Sequence, residues 1–384
     1  MNLIEFQHVS KSFKENTVLR DLNFEIPEGK LTVLIGPSGC GKTTTLKMIN
    51  RLIRPTEGKI LIDGNDIETV DKVELRRSMG YVIQQGGLFP HMTVRQNIEI
   101  IEKLEDIPEE DRAARTSELM DMVGLHDTDF LDRYPRELSG GQQQRIGVAR
   151  AFATNPDIIL FDEPFSALDP ITRGSLQDQL LEIQEKEAKT MVFVTHDMDE
   201  AIKIADEICI MHDGRIVQFD TPEQILRHPS DDFVVDFIGP NRIWSNPEYL
   251  KVRDFMLPDP VVCHKQMPVT GCIRLIRTKH VDSVFVVDEE QKFLGIVDRR
   301  SFTSDHRSFW TAADVMMEPD FTVNVDDSIM SLLEKASSFE QTRPIPVLDD
   351  NGTLCGIMTS SVLISLLSRQ YLSSEDSMAE GGLA

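Results

Sequence analysis

In the first part of the chain the apolar positions gather into short dense runs: LTVLI at 31–35, IILF at 158–161 and MVFVT at 191–195. Runs of four or five residues, rich in β-branched side chains and bounded by polar or Gly- and Pro-bearing segments, mark buried strands. Longer helix-like stretches stand between them, residues 173–187 being one. Such alternation predicts an α/β domain, a largely parallel sheet covered by helices. The pattern breaks at 239–250, GPNRIWSNPEYL, where Gly, Pro and Asn interrupt the periodic segments. Beyond it the chain repeats itself. Asp254-Phe255-Met256 returns as Asp314-Val315-Met316, Val286-Val287-Asp288 as Pro346-Val347-Leu348-Asp349, and Gly295-Ile296-Val297 as Gly356-Ile357-Met358, each about sixty residues on. A constant offset at three places predicts a duplicated βαββα-type unit. The expected division is therefore 1–238 as one domain, 239–250 as linker, 251–372 as the tandem domain, and 373–384, SSEDSMAEGGLA, as a disordered acidic tail.

Length and charge narrow the class. A chain of 384 residues exceeds one ordinary core. The net charge of −24 disfavours a nucleic-acid polymer as partner, because phosphate contacts are made by basic surface. No run approaches the roughly 18 apolar residues of a membrane span, and MNLIEFQHVS lacks the basic and apolar regions of a signal peptide. The expectation is a cytosolic chain whose membrane role, if any, comes through a partner. Five cysteines without CxxC spacing argue against a zinc site or a disulfide framework.

Candidate chemistry begins at GPSGCGKT, which fits GxxxxGK[ST] between the strand LTVLI and a helix. The glycines let the backbone curl so that successive N–H groups face phosphate oxygens; Lys42 neutralises β/γ charge and Thr43 offers a hydroxyl to Mg2+. The phosphate-contact set is Gly36, Pro37, Ser38, Gly39, Cys40, Gly41, Lys42, Thr43 and Thr44. IILFDEP, 158–164, then supplies carboxylates at a strand end, Asp162 for the metal's water shell and Glu163 to polarise an attacking water. Cys40 lies beside Lys42 at a helix N-terminus, which favours thiolate; a small filler residue is the other reading. LSGGQQQR, 138–145, carries no acid and no metal ligand, yet Ser139 can donate a hydrogen bond, Gly140 and Gly141 allow close backbone approach, and a helix from Gln142 onward would turn its positive end to an anion.

In this order, GPSGCGKT, LSGGQQQR, IILFDEP, SALDP (166–170) and Thr195-His196 closely resemble the ATPase subunit of ABC transporters over about residues 1–235. LSGGQ immediately upstream of the aspartate-ending strand is specific to that family. The resemblance implies a P-loop ABC ATPase fold, a mostly parallel sheet with helices plus a helical subdomain, using ATP and Mg2+. It implies that Phe13 stacks on adenine, that Gln84 reaches Mg2+ and the attacking water, that His196 contacts the γ-phosphate beside Glu163, and that Asp169 belongs to a contact across a dimer. It also implies that Ser139, Gly140, Gly141 and Gln142 cap the γ-phosphate of a second copy's ATP. Two nucleotides would then join a head-to-tail homodimer on transmembrane permease subunits at the cytoplasmic face of the membrane, fed by an extracellular solute-binding protein. Non-transport members of the family typically carry coiled-coil insertions or a duplicated cassette, and neither is seen. A free-standing enzyme would need a second substrate motif, and none is present.

The two repeats resemble a pair of CBS motifs, and ABC ATPases ending in such a pair resemble the Opu-type importers of glycine betaine, carnitine, choline and related osmoprotectants. Adenosine-binding CBS motifs typically close with [ST]xxD; here the second repeat reads Thr359-Ser360-Ser361-Val362 and the first Asp298-Arg299-Arg300-Ser301. The missing terminal carboxylates weigh against simple AMP or ATP sensing. Two readings remain: a cyclic dinucleotide such as cyclic di-AMP held near Val261, Val262, Thr342, Arg343, Ile357 and Thr359, or a module that reads ionic strength or holds the dimer together. Arg299-Arg300 could serve phosphates or an anionic surface, or be merely solvated.

Overall fold

A computed structural model describes residues 2–83, 87–126, 128–166, 168–239, 242, 249–302, 310–337 and 343–365. The chain divides into two compact units, 1–238 and 239–384. Of the segment 239–250, residues 239, 242, 249 and 250 are described, and the tail 373–384 lies outside the described residues.

The first unit opens with a long hairpin, β1 (Asn2–Phe13) and β2 (Asn16–Pro27). β3 (Leu31–Ile35) follows and leads through the glycine loop into α1 (Lys42–Ile49). β4 (Glu57–Ile62) and β5 (Asn65–Asp66) then return to the hairpin, giving an antiparallel sheet of order β2-β1-β4-β5. The sequence reading did not anticipate this second sheet. Along β2 the burial alternates, with Leu22, Phe24 and Ile26 inward, so this strand buries mainly one face.

After α2 (Lys72–Arg77) and β6 (Met79–Val82), the described residues form the α-helices α3 (Val94–Ile98), α4 (Ile100–Leu104), α5 (Glu109–Met122) and α6 (Gly140–Ala151) before the next strand. They supply the helical insert expected of the fold. The remainder is β7 (Ile158–Asp162), α7 (Pro170–Glu187), β8 (Thr190–Val194), α8 (Met198–Ile204), β9 (Glu207–His212), β10 (Arg215–Asp220), α9 (Pro222–Arg227) and α10 (Asp232–Ile238). These strands form a six-stranded sheet of order β10-β9-β3-β8-β7-β6, parallel except at the β10 edge. Every residue of β3, β7 and β8 is buried, as the apolar runs predict for strands covered on both faces. Because these three are parallel, the loops leaving them open on the same edge of the sheet, the edge where α/β sheets hold ligands. No helix among the described residues is long and apolar enough to cross a membrane.

In the second unit, a short 3-10 helix (Val252–Asp254) and β11 (Leu257–Pro258) precede the first repeat, β12 (Val262–His264), α11 (Val269–Lys279), β13 (Ser283–Val287) and β14 (Phe293–Asp298). α12 (Ala312–Val315) leads to the second, β15 (Val323–Asn324), α13 (Ile329–Ser337), β16 (Ile345–Leu348) and β17 (Leu354–Met358). Each repeat pairs its first two strands in parallel and its last two antiparallel, which gives the βαββ part of the expected βαββα-type unit. β11 adds to the edge of β17, so the chain before the first repeat completes the sheet of the second. Each sheet has its own apolar core.

Candidate functional site

The glycine loop leaves β3 at a point only glycine can occupy. A Cβ on Gly36 would lie 2.1 Å from the Met211 carbonyl oxygen on β9, backbone that cannot yield. Gly41 takes φ +109° and stands at the N-terminus of α1, where no side chain caps the helix. The first N–H groups of α1 are thus uncapped and point out of the loop, a donor set suited to an anion. Lys42, 7% exposed, donates to the Gly36 and Pro37 carbonyls at 2.6 and 3.1 Å. Its ammonium is thereby held inside the curl that a β/γ-phosphate pair would enter.

β7 delivers the acidic partners. Asp162, its last residue, is 2% exposed and accepts the Thr43 hydroxyl at 2.7 Å. This unites the two motifs across the β3/β8/β7 strand order and fits a magnesium held through Thr43 with Asp162 behind it. Lys47, one helical turn beyond Thr43, reaches the other carboxylate oxygen at 3.4 Å. Tyr81 on β6 lies beside the same carboxylate; burial first, then the Asp162 charge, push its phenol well above the ordinary range.

Glu163 turns the chain sharply, at φ +49°, with its N–H bonded to the Val194 carbonyl at 3.0 Å. A left-handed non-glycine residue costs about 1–3 kcal/mol, and here the end of β8 holds it. The turn sets the Glu163 carboxylate 3.4 Å from Nδ1 of His196, whose side chain is 64% exposed. His196 is anchored from behind: Asp197 caps α8 and pairs with Arg173 at 3.5 Å, and Glu200 receives Gln177 at 3.1 Å. Thr43, Asp162, Glu163 and His196 therefore converge at one edge of the sheet, as the motif order implies.

Other predicted residues fall as follows. Gln84 and Thr342 lie outside the described residues. Phe13 is 46% exposed at the end of β1, with the Lys11 ammonium over its ring, 4.7 Å from the centroid. Asp169 caps α7 through the Thr172 N–H at 3.1 Å, and the Thr172 side chain first, then this N–H, hold its carboxyl below the usual range. Ser139 and Gln142 cap each other, Ser139 Oγ accepting the Gln142 N–H at 3.2 Å and Gln142 Oε1 accepting the Ser139 N–H at 2.9 Å. This capping box starts α6 at Gly140, two residues earlier than expected, because Ser139 rather than a later residue terminates the extended chain. Among the described residues no hydrogen bond or ion pair joins 139–142 to the loop 36–44.

The reactive-thiolate reading of Cys40 is corrected. The residue is 5% exposed, and burial pushes its thiol up, outweighing the Lys42 charge. At neutral pH alkylation of Cys40 is expected to be no faster than that of the partly exposed Cys355, measured by mass spectrometry of labelled peptides; preferential labelling of Cys40 would restore the reactive reading.

The second unit holds a cavity of about 840 Å3 whose walls come from both repeats. Val261, Arg343, Ile357 and Thr359 line it as expected, and Val262 does not: on β12 its side chain is turned away from the buried Cys263 and is 38% exposed. The missing-carboxylate reading also changes. Asp298, at the position the [ST]xxD pattern gives to Ser or Thr, lines the cavity and is buried. Burial works against its ionised form, but the Arg300 hydrogen bonds and the charges of Arg300 and Arg343 hold the carboxyl below the usual range. Among the described residues, Ser283 Oγ and Arg343 Nε in the same walls are buried without hydrogen-bond partners. Sequence reading missed Lys47, Ser283 and the cleft position of Asp298. Only the four-residue spacing of Thr43 and Lys47 was a visible signal.

The ABC transporter family profile matches residues 19–166, and the CBS domain profile matches 252–304 and 312–369. The carnitine transport ATP-binding protein OpuCA of Listeria monocytogenes is 47% identical over 371 residues, covering 95% of this chain and 92% of the relative. The glycine betaine/carnitine/choline transport ATP-binding protein OpuCA of Bacillus subtilis is 46% identical over 371 residues, covering 95% of this chain and 96% of the relative. A dimeric post-hydrolysis structure of the ATP-binding cassette MJ0796 bound to ADP and Pi is 35% identical and covers 57% of this chain and 99% of that one, with a TM-score of 0.54. With relatives matching over 95% of the chain and both profiles in place, the chain belongs to the ABC transporter ATP-binding subunits of the osmoprotectant, or quaternary-amine, family, transport-coupled ATPases that carry a C-terminal CBS pair.

Proposed function

We propose that this subunit hydrolyses ATP as a head-to-tail homodimer and so powers uptake of glycine betaine, carnitine, choline or a related quaternary amine through transmembrane permease subunits. The observation that carries the hydrolytic part is the convergence of Glu163 and His196, 3.4 Å apart, beside the Thr43–Asp162 bond. In this reading the loop 36–44 binds the phosphates, Phe13 stacks on the base, and Thr43, Gln84 and Asp162 would hold Mg2+, which would supply positive charge against the phosphate oxygens. Glu163 draws the proton of the attacking water, and His196 orients it against the γ-phosphate. Ser139, Gly140, Gly141 and Gln142 close the nucleotide of the other copy, and Asp169 lies at that contact. The dimeric state of the MJ0796 cassette supports this arrangement. The substrate class rests on the names of these relatives. The subunit works at the cytoplasmic face of the membrane, and an extracellular solute-binding protein delivers the solute.

Co-expression with its membrane partners, followed by uptake of labelled betaine, carnitine and choline under osmotic stress, tests the assignment. Accumulation of at least one, lost in Lys42→Ala, is expected. No uptake of any of the three by a complex with intact ATPase activity would move the subunit to another small solute.

For the CBS pair, the cavity with Arg299, Arg300 and Arg343 and a buried Ser283 hydroxyl that has no hydrogen-bond partner favours an anionic ligand such as cyclic di-AMP over a purely ionic-strength role. Calorimetry of the full chain with cyclic di-AMP is expected to give heat that weakens about tenfold or more in Arg343→Ala. No heat at high protein concentration would favour the ionic-strength or dimer-holding role.

A further inference from the structure

We propose that Lys47 is a displaceable counter-ion for Asp162, holding the buried carboxylate while the metal is away and withdrawing when Mg2+ arrives, so that this lysine sets how strongly Mg2+ tightens nucleotide binding. The proposal rests on the reading of Asp162 as the carboxylate behind the metal.

The Asp162 side chain is 3% exposed. A carboxylate that deep in the protein requires compensation. Its Oδ1 has a neutral partner, the Thr43 hydroxyl at 2.7 Å, and its Oδ2 faces the Lys47 ammonium at 3.4 Å. Tyr81, beside it, carries a phenol, which is neutral near pH 7 and supplies no positive charge. Lys42, the other nearby lysine of the loop, has its ammonium on the Gly36 and Pro37 carbonyls. Among the described residues Lys47 is therefore the cation within ion-pair distance of this carboxylate.

The contact is built to be lost. At 3.4 Å it is longer than a charge-assisted hydrogen bond, about 2.7–2.9 Å, and Lys47 is 34% exposed on a flexible stem, so solvent is within its reach. Thr43 and Lys47 are one turn apart on α1 and approach Asp162 from the same side. A dication at Thr43 would then stand within a few ångströms of the ammonium, and two like charges against one carboxylate repel strongly in a partly buried site. The dication wins, because it also gains the phosphate oxygens. Lys47 moves to water, and its departure subtracts from the metal's net affinity.

The test is calorimetric titration of the full-length protein with ADP, which does not turn over, in Mg2+ and in EDTA, for wild type, Lys47→Met and Lys47→Arg. The ratio of the EDTA Kd to the Mg2+ Kd is expected to rise roughly tenfold in Lys47→Met and to stay near wild type in Lys47→Arg, with the EDTA values of all three within about threefold. The metal-free melting temperature should fall in Lys47→Met and recover with Mg2+–ADP. A ratio unchanged or reduced in Lys47→Met overturns the proposal. If Mg2+ leaves ADP affinity unchanged even in wild type, the assignment of Asp162 to the metal fails instead. Should Lys47→Met not fold, Lys47→Gln gives the same comparison.

Discussion

Glu163→Gln is expected to bind ATP within a few-fold of wild type and to hydrolyse it about 10^2–10^4-fold more slowly, the usual contribution of a positioned general base. The substitution preserves the shape of a side chain that sits on a left-handed turn and leaves a hydrogen-bonding atom for His196, 3.4 Å away. What it removes is the acceptor for the water's proton. With hydrolysis blocked, the ATP-bound form accumulates, and light scattering coupled to size exclusion should find a dimer that wild type shows only transiently. Phosphate release within about threefold of wild type would remove Glu163 from the role of base.

Gly36→Ala should have the largest effect on stability and binding together. Its Cβ would lie 2.1 Å from the Met211 carbonyl oxygen and 2.9 Å from the Cys40 sulfur, so either β9 or the loop must shift. Overpacking against backbone of this kind costs about 1–3 kcal/mol, which lowers the melting point of a unit this size by roughly 2–12 °C. Moving the loop also misdirects the uncapped N–H groups of α1, so ATP affinity should drop at least about tenfold. Gly39→Ala is the control: its Cβ would meet nothing within 4 Å, leaving only the strain of φ +83°. Scanning calorimetry and nucleotide titration of both variants check this, and equal behaviour of the two would show that the Met211 contact does not matter.

What could be read in advance was whatever depends on order along the chain. LTVLI, IILF and MVFVT form buried parallel strands because a fully apolar run has only one stable place in a protein of this kind. The phosphate loop and the repeat likewise declare themselves by spacing. Features that depend on burial or on distant strands did not. Cys40 has a visible lysine neighbour, but its near-complete burial, which decides its chemistry, comes from β9 packing against the loop. Lys47 is visible as the residue one turn after Thr43, yet its meaning needs β7 to bring Asp162 alongside. Asp298 looked like a departure from a motif, and only the pairing of β13 with β14 and the arrival of Arg343 from the other repeat make it part of a cavity wall. The first sheet was missed because strands buried on one face carry a weaker apolar signal than those buried on two.

The most direct test of the central claim, that LSGGQQQR serves the nucleotide of a second chain, is complementation between inactive variants. Lys42→Ala removes phosphate binding, and Ser139→Arg blocks the cap of α6, so each alone should lack ATPase activity. In a mixed dimer one of the two sites unites an intact Lys42 with an intact Ser139 from the other chain. Mixing the two inactive proteins is predicted to restore ATP hydrolysis well above the sum of the separate preparations. If the mixture shows no more than that sum under conditions where the chains exchange, the site is not built across two copies and the account is wrong.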